Sequence, residues 1–221
     1  MRKLITAAFV SVDGVMQAPG RPEEDSSGGF KFGGWVAPGV DDVFGREVDA
    51  LFAAPFDLLL GRKTYEIFAA YWPYHQGEYD PIAKRFNAVT KYVATRSETP
   101  LIWKRSVALH DAAADVARLK NEDGPSLLTQ GSSHLLQTLL MHDLIDELRM
   151  FIFPLVLGRG KRLFGEGTKP AALELVDSKV TTAGVTISSY RPAGPVKTSD
   201  LATNPPSEAE LKRRERMKRE G

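Results

Sequence analysis

The chain has 221 residues, with 29 Lys and Arg against 28 Asp and Glu, 43% hydrophobic residues and no cysteine. A net charge of +1 gives no electrostatic reason to expect a nucleic-acid partner, and the lack of cysteine excludes a disulfide framework, a thiolate metal site and a cysteine nucleophile. No apolar run approaches the ~20 residues that span a bilayer, so no membrane partner and a cytoplasmic address are expected.

Residues 3–12 are apolar on both faces and rich in β-branched and small residues, as a central strand is. Two basic residues precede this run, but Thr6, Ser11 and Asp13 interrupt it and no small-residue cleavage site is clear, so it reads as a strand rather than a signal peptide. Asp13-Gly14 releases the chain into a segment reaching about Pro38, rich in proline and glycine. So long a loop in a compact domain is usually functional or disordered. Its aromatics, Phe30, Phe32 and Trp35, either fold over something apolar or plug the edge of the core.

Asp41 or Asp42 can cap the next helix, which is predicted to run to about Ala54 with Val43, Phe44, Val48, Leu51 and Phe52 as its buried stripe. Residues 56–60 read as a second strand, which Gly61 turns into a helix that begins at Arg62, Lys63 and Thr64 and ends by Trp72-Pro73. Cations at a helix start oppose the helix dipole by about 0.3–1 kcal/mol, a cost that an anion bound between them would offset. A short helix follows Asp80-Pro81, with proline at the favoured first position. Residues 91–95 form a third strand closed by Arg96-Ser97, residues 101–110 an irregular strand, and residues 111–121 a helix.

Leu127 and Leu128 end a further apolar run. The polar turn at residues 129–133 then opens a helix over residues 134–142, with Leu135, Leu136, Leu139 and Leu140 on one face. Unpaired N–H groups, the helix dipole and the serine hydroxyls suit a phosphate there; a helix capped by Ser132 or Ser133 with no ligand is the plainer account. Residues 146–157 read as a long strand that bends or is exposed at Pro154, and residues 173–178 and 180–191 as a strand pair around Thr182-Ala183-Gly184.

This alternation predicts an α/β domain over residues 1–195: a mostly parallel central sheet with helices on both faces and an antiparallel C-terminal strand pair. Residues 196–221 read as a polar, charged C-terminal tail. Ligands of such sheets collect at the carboxyl ends of the strands. Asp13, Gly61, Thr95-Arg96 and Gly131 stand at four of those ends.

Five motifs in this order resemble the dihydrofolate reductase superfamily, in its branch similar to the reductase domain of riboflavin biosynthesis. They are S-V-D-G at residues 11–14, G-R-K-T-Y-E at 61–66, T-R-S at 95–97, Q-G-S-S at 130–133 and P-L-V-L-G-x-G at 154–160. The resemblance covers about residues 2–192 and implies a dihydrofolate-reductase-like fold. The function it implies is an NADPH-dependent reductase acting on a small heterocyclic substrate, pterin- or ribosylaminopyrimidine-like, or on a carbonyl compound. The alternative is a protein that binds NADP(H) without turnover. The resemblance also implies that Gly61, Arg62, Lys63 and Thr64, with Gln130, Gly131, Ser132 and Ser133, hold the cofactor phosphates. Thr95, Arg96 and Ser97 then meet the adenosine 2′-phosphate, and Ala8, Val15 and Met16 lie by the nicotinamide.

Asp13 and Trp35 are expected to meet the substrate, with Arg46 or Glu47 on its other wall, and Lys161 and Arg162 are the candidates for anchoring a ribose phosphate. No catalytic proton donor is identified: the acid of dihydrofolate reductase proper maps near Gly45, and of the nearby acids Asp41, Asp42, Glu47 and Asp49 most read as caps or solvated faces, Asp49 alone falling near the apolar stripe. The chain lacks the G-x-G-x-x-G fingerprint of ordinary dinucleotide folds. His75, His110, His134 and His142 show no metal-ligand spacing, so no metal is expected. Relatives are often dimers, and a homodimer through residues 148–157 and the strands after them is expected.

Overall fold

The computed structural model describes residues 1–75, 81–201 and 204–220. Within them lie eight strands: β1 (Leu4–Ser11), β2 (Phe56–Gly61), β3 (Lys91–Ala94), β4 (Ser106–Leu109), β5 (Ser126–Thr129), β6 (Glu147–Phe153), β7 (Leu173–Val180) and β8 (Thr186–Pro192). The helices are α1 (Asp42–Leu51), α2 (Arg62–Ala69), α3 (Pro81–Ala88), α4 (Ala112–Asn121), α5 (Ser133–Met141) and α6 (Glu208–Glu220).

The strands form one sheet in the order β4-β3-β2-β5-β1-β6-β8-β7. The first six run parallel, and β8 pairs antiparallel with both β6 and β7. Side chains alternate across a strand, so each central strand feeds two cores. Leu58 and Leu60 of β2 enter one core with Phe44 of α1, Tyr65 of α2 and Phe86 of α3. Leu59 enters the other with Val116 of α4 and Leu135, Leu136 and Leu139 of α5. β1 divides likewise, Ala7 to the first core and Leu4, Ala8 and Val10 to the second. Each fully buried leucine here contributes about 1.5–3 kcal/mol, which is why these strands cannot carry a polar face.

The chain moves outward from β1 to β2, β3 and β4, then returns to insert β5 between β2 and β1 before crossing to β6. This order brings the carboxyl ends of six parallel strands to one edge of the sheet, with a reversal of direction beside β1, the place where such sheets bind ligands.

Several boundaries depart from expectation for physical reasons. The long strand predicted over residues 146–157 stops at Phe153, because Pro154 has no N–H to give the ladder. β6 also sits between β1 and β8, so the strand expected at a dimer surface is interior, with Leu148, Phe151 and Phe153 buried. The edge strand on that side is β7, every residue of which is exposed. Thr95 leaves β3 as a buried turn residue, its N–H donating to the Leu109 carbonyl. The tail contributes the exposed helix α6, in which Glu210 pairs with Arg213 and Arg214. α3 begins at Pro81 as expected; Asp80 lies outside the described residues.

Candidate functional site

The carboxyl edge of the sheet opens into a cleft of about 1120 Å³ that reaches both faces. On the α4–α5 side its wall includes His110, Asp111, Ala112, His134 and Thr138; on the α1–α3 side it includes Val48, Phe52, Phe68, Tyr71 and Trp72. The loop after β1 crosses it, contributing Met16 to Arg21, Glu24 and Asp25.

Four helices start at or near this edge, and they start in two ways. α1 is capped by Asp41, whose carboxylate accepts from the Phe44 N–H at 2.8 Å, and α4 by Asp111, which accepts from the Ala114 N–H at 3.0 Å. α2 begins at Gly61 and α5 at Ser132, and neither receives a side-chain cap. Their first-turn residues, Arg62 to Thr64 and Ser133 to Leu135, line the cleft. The two starts are joined, Thr64 Oγ1 lying 2.7 Å from Ser132 Oγ.

The glycines here are set by that junction. A Cβ on Gly61 would stand 2.3 Å from Ser132 Oγ, so the contact demands glycine. Gly131 has φ +121° and Ser132 φ +72°, both in the region that favours glycine. The strained turn is held in place by the buried Thr129, whose hydroxyl donates to the Gly131 carbonyl at 3.2 Å. Two uncapped helix N-termini converging on one cleft present N–H donors and partial positive charge to an anion.

The cations expected to add to this charge are mostly committed elsewhere. Arg62 and Lys63 line the cleft, but Arg62 donates to Glu66 at 2.6 Å and to the Thr99 carbonyl at 2.8 Å. Lys63 pairs with Asp25 at 2.9 Å, and Lys161 reaches the other oxygen of the same carboxylate at 2.5 Å. Burial alone would raise the Asp25 carboxyl, yet hydrogen bonds from Lys161, Ser27 and Lys63 outweigh it and hold the group well below the usual carboxylate range. The Lys63 ammonium is raised in turn, first by its hydrogen bond to Asp25. Asp25 thus clamps the loop after β1 onto α2. Gln17 completes the clamp: its side-chain amide donates to the Asp25 and Ser27 carbonyls and accepts from the Lys161 N–H.

Arg96 differs from these cations. It is exposed, lines the cleft, and makes no ion pair or hydrogen bond among the described residues. Thr95, Gln130, Ala8 and Met16 also line the cleft, whereas Ser97 is turned into the Thr95–Thr99 bend and does not.

The four residues expected at the substrate lie elsewhere, as does Val15. Asp13 accepts from the Leu157 and Gly158 N–H groups at 3.1 and 2.9 Å and faces Arg162 at 3.6 Å, outside the cleft. Its carboxyl is lowered to about 2, chiefly by the Ser11 hydroxyl at 2.6 Å. Trp35 is buried edge-on against Phe153, with ring centroids 5.3 Å apart, and donates Nε1–H to the Gln17 carbonyl, so it plugs the core edge. Val15 is fully buried and bridges to Arg162. Arg46 is exposed, and Glu47 accepts from Lys179 of β7 at 2.7 Å. At about 100° per residue, α1 turns Val48 and Phe52 toward the cleft and positions 46 and 47 away from it. A Cβ on Gly45 would meet open space, and Asp49 is exposed, so α1 presents no acid to the cleft.

Sequence reasoning missed the Gln17–Asp25–Lys161 clamp and the cleft role of Phe68, Tyr71 and Trp72. The aromatic spacing at the end of α2 was a usable signal for the second. A polar residue in an irregular loop gave none for the first.

These features define the chain as an α/β protein with a deep cleft at the carboxyl edge of a mainly parallel sheet. A model of the RibD C-terminal domain matches residues 2–187, and the chain belongs to that family. It is 30% identical to protein YwjB of Bacillus subtilis (strain 168) over 184 residues, covering 80% of this chain and 91% of that one. Two solved structures share the fold. Dihydrofolate reductase from Enterococcus faecalis, complexed with NADP(H), aligns with a TM-score of 0.56 and 15% identity over 86% of this chain and 96% of its own. A pyrimidine reductase-like protein from Corynebacterium diphtheriae aligns with a TM-score of 0.54 and 12% identity over 86% of this chain and 92% of its own.

Proposed function

We propose that this chain is an NADPH-dependent reductase whose cofactor lies along the cleft from Arg96 to Ala8. The observation that carries the reading is the joined pair of uncapped helix starts at Gly61 and Ser132, with an unpaired guanidinium on the neighbouring strand end. The donor set fits a dinucleotide with a 2′-phosphate. The first-turn N–H groups of α2 and α5, with the Thr64, Ser132 and Ser133 hydroxyls, hold the bridging phosphates. Arg96 offers a planar fork to the adenosine 2′-phosphate. Ala8, with its small side chain, and Met16 of the loop line the end of the cleft at β1, where the nicotinamide ring would lie. When bound, the cofactor supplies the hydride; the protein supplies orientation and excludes water. Membership of the RibD C-terminal family and the NADP(H) complex of the Enterococcus reductase support this reading.

Titration of NADPH and NADH against the wild type and Arg96→Ala at one fixed salt concentration tests it. Losing a charge-assisted pair worth about 1.5–3 kcal/mol weakens NADPH roughly tenfold to a hundredfold, while NADH, without a 2′-phosphate, is unchanged. Equal weakening of both nucleotides would make Arg96 structural and defeat the proposal.

The same reading includes a homodimer joined along β7, where Leu175, Val176 and Val180 are exposed on an unpaired sheet edge. A sedimentation mass of one chain at micromolar concentration contradicts it.

A further inference from the structure

The proposed cofactor occupies the polar part of the cleft, and on that reading we infer that the remaining part takes an uncharged, planar, conjugated carbonyl compound, in preference to a pterin or a phosphorylated pyrimidine. The wall on the α1–α3 side is Val48, Phe52, Phe68, Tyr71, Trp72 and Ile82. It is stiff. Phe52 packs edge-on against the buried Phe86 with centroids 5.2 Å apart, Phe68 meets Trp72 at 6.1 Å, and Trp72 meets Tyr71 at 5.0 Å. A fixed aromatic wall selects flat apolar molecules by stacking and by excluding water.

Among the described residues, the charges that a pterin or a phosphate requires are mostly taken. A pterin presents ring N–H and amino donors whose burial needs an acceptor, usually a carboxylate. The carboxylates lining the cleft among the described residues are Glu24, Asp25 and Asp111. Asp25 is shared by two lysines, and Asp111 caps α4 on the opposite face. Glu24 closes its own turn, accepting from the Gly20 and Arg21 N–H groups at 2.6 and 3.0 Å. Among the described residues, two of the cations within reach of a ribose phosphate are held by carboxylates and the third lies over a ring. Lys161 pairs with Asp25, Arg162 bonds the Asp13 carbonyl and faces its carboxylate, and the exposed Arg21 lays its guanidinium on the Tyr71 ring, 4.2 Å from the centroid. Polar discrimination falls to the cofactor half, and shape and hydrophobicity decide the rest.

Reduction of such an acceptor breaks one π bond of the conjugated system. The hydride goes to carbon, a proton from water completes the product, and the nicotinamide leaves oxidised.

The test is a binding panel on the full chain, read by tryptophan fluorescence with and without saturating NADP⁺, together with NADPH consumption at 340 nm. The neutral probe is trans-4-phenylbut-3-en-2-one; the charged ones are dihydrofolate and 5-amino-6-ribosylaminouracil 5′-phosphate. The enone is expected to bind more tightly than either charged probe. Val48→Asp, which puts a carboxylate on the apolar wall, weakens it about tenfold or more with NADPH affinity within about threefold. Tyr71→Ala, at a half-buried position, weakens the enone about fivefold and serves where Val48→Asp does not fold. Tighter binding of either charged probe, no enone binding up to millimolar concentration, or indifference of the enone to the folded variants overturns the inference. Enone binding that responds to the variants in a chain that fails to bind NADPH would sink the proposed cofactor and leave the apolar wall standing.

Discussion

α1 and α4 each begin with an aspartate that closes the first turn, whereas α2 and α5 begin with a glycine and a strained serine that close nothing. The four are alike in length, 8–10 residues, and all pack on the same sheet. Capping is worth about 1 kcal/mol and is easily supplied by Ser, Thr, Asp or Asn. Its absence where two helices converge on a cleft, next to a glycine that close approach explains, leaves backbone donors open at that edge. A capped start organises the fold; an open start, in this arrangement, faces the solvent of the site.

The sharpest way to break this comparison is to spoil the open pair. Gly61→Ala drives a Cβ into Ser132 Oγ, so the α5 start must shift. Overpacking of this kind costs about 1–3 kcal/mol of stability, and NADPH affinity should fall about tenfold or more as the two starts separate. Calorimetric titration with a parallel melt checks both; unchanged NADPH binding in a folded variant would mean that the junction holds no phosphate.

The converse substitution should touch stability alone. Asp41→Ala removes the α1 cap and its bonds to Thr182 and the Ala183 N–H in the β7–β8 turn. The melting temperature is expected to drop by about 2–4 °C, with NADPH affinity within about threefold. The effect should also depend on pH. The Asp41 carboxyl is held well below the usual carboxylate range, first by the Phe44 N–H and then by Thr182. A folded pKa below the unfolded value of about 3.9 gives stability that is present above that value and lost as the pH falls through the folded one. The difference between wild type and Asp41→Ala should therefore shrink on acidification. A difference that stays constant from pH 7 to pH 3 would remove the carboxylate from the account.

The smallest expected effect lies in the tail. Deleting residues 197–221 should leave NADPH affinity within about threefold, since α6 buries no residue and its charges pair with one another. A larger loss would show that the tail closes the site or holds a partner.

What the amino-acid sequence determined by itself was periodic and local. Strands apolar on both faces, as in β1 and β2, can only sit inside a sheet covered by helices on both sides, so their composition alone required the parallel centre. A cap at Asp41 or Asp42, an irregularity at Pro154 and the strand–glycine–helix junctions at Gly61 and Gly131 were legible for the same reason, each being decided within a few residues.

Tertiary structure alone decided where the long polar side chains ended. Lys63 turned to Asp25, Asp13 to the N–H groups of Leu157 and Gly158, and Glu47 to Lys179. Each carried a charge that sequence reasoning assigned to a ligand, and each found a partner brought near only by folding, 145 positions away for Asp13 and Gly158. Even Gly61 owes its necessity to Ser132, a contact that no spacing along the chain displays. A flexible charged side chain goes to the nearest compensating group in space, and only the packed sheet fixes which group that is.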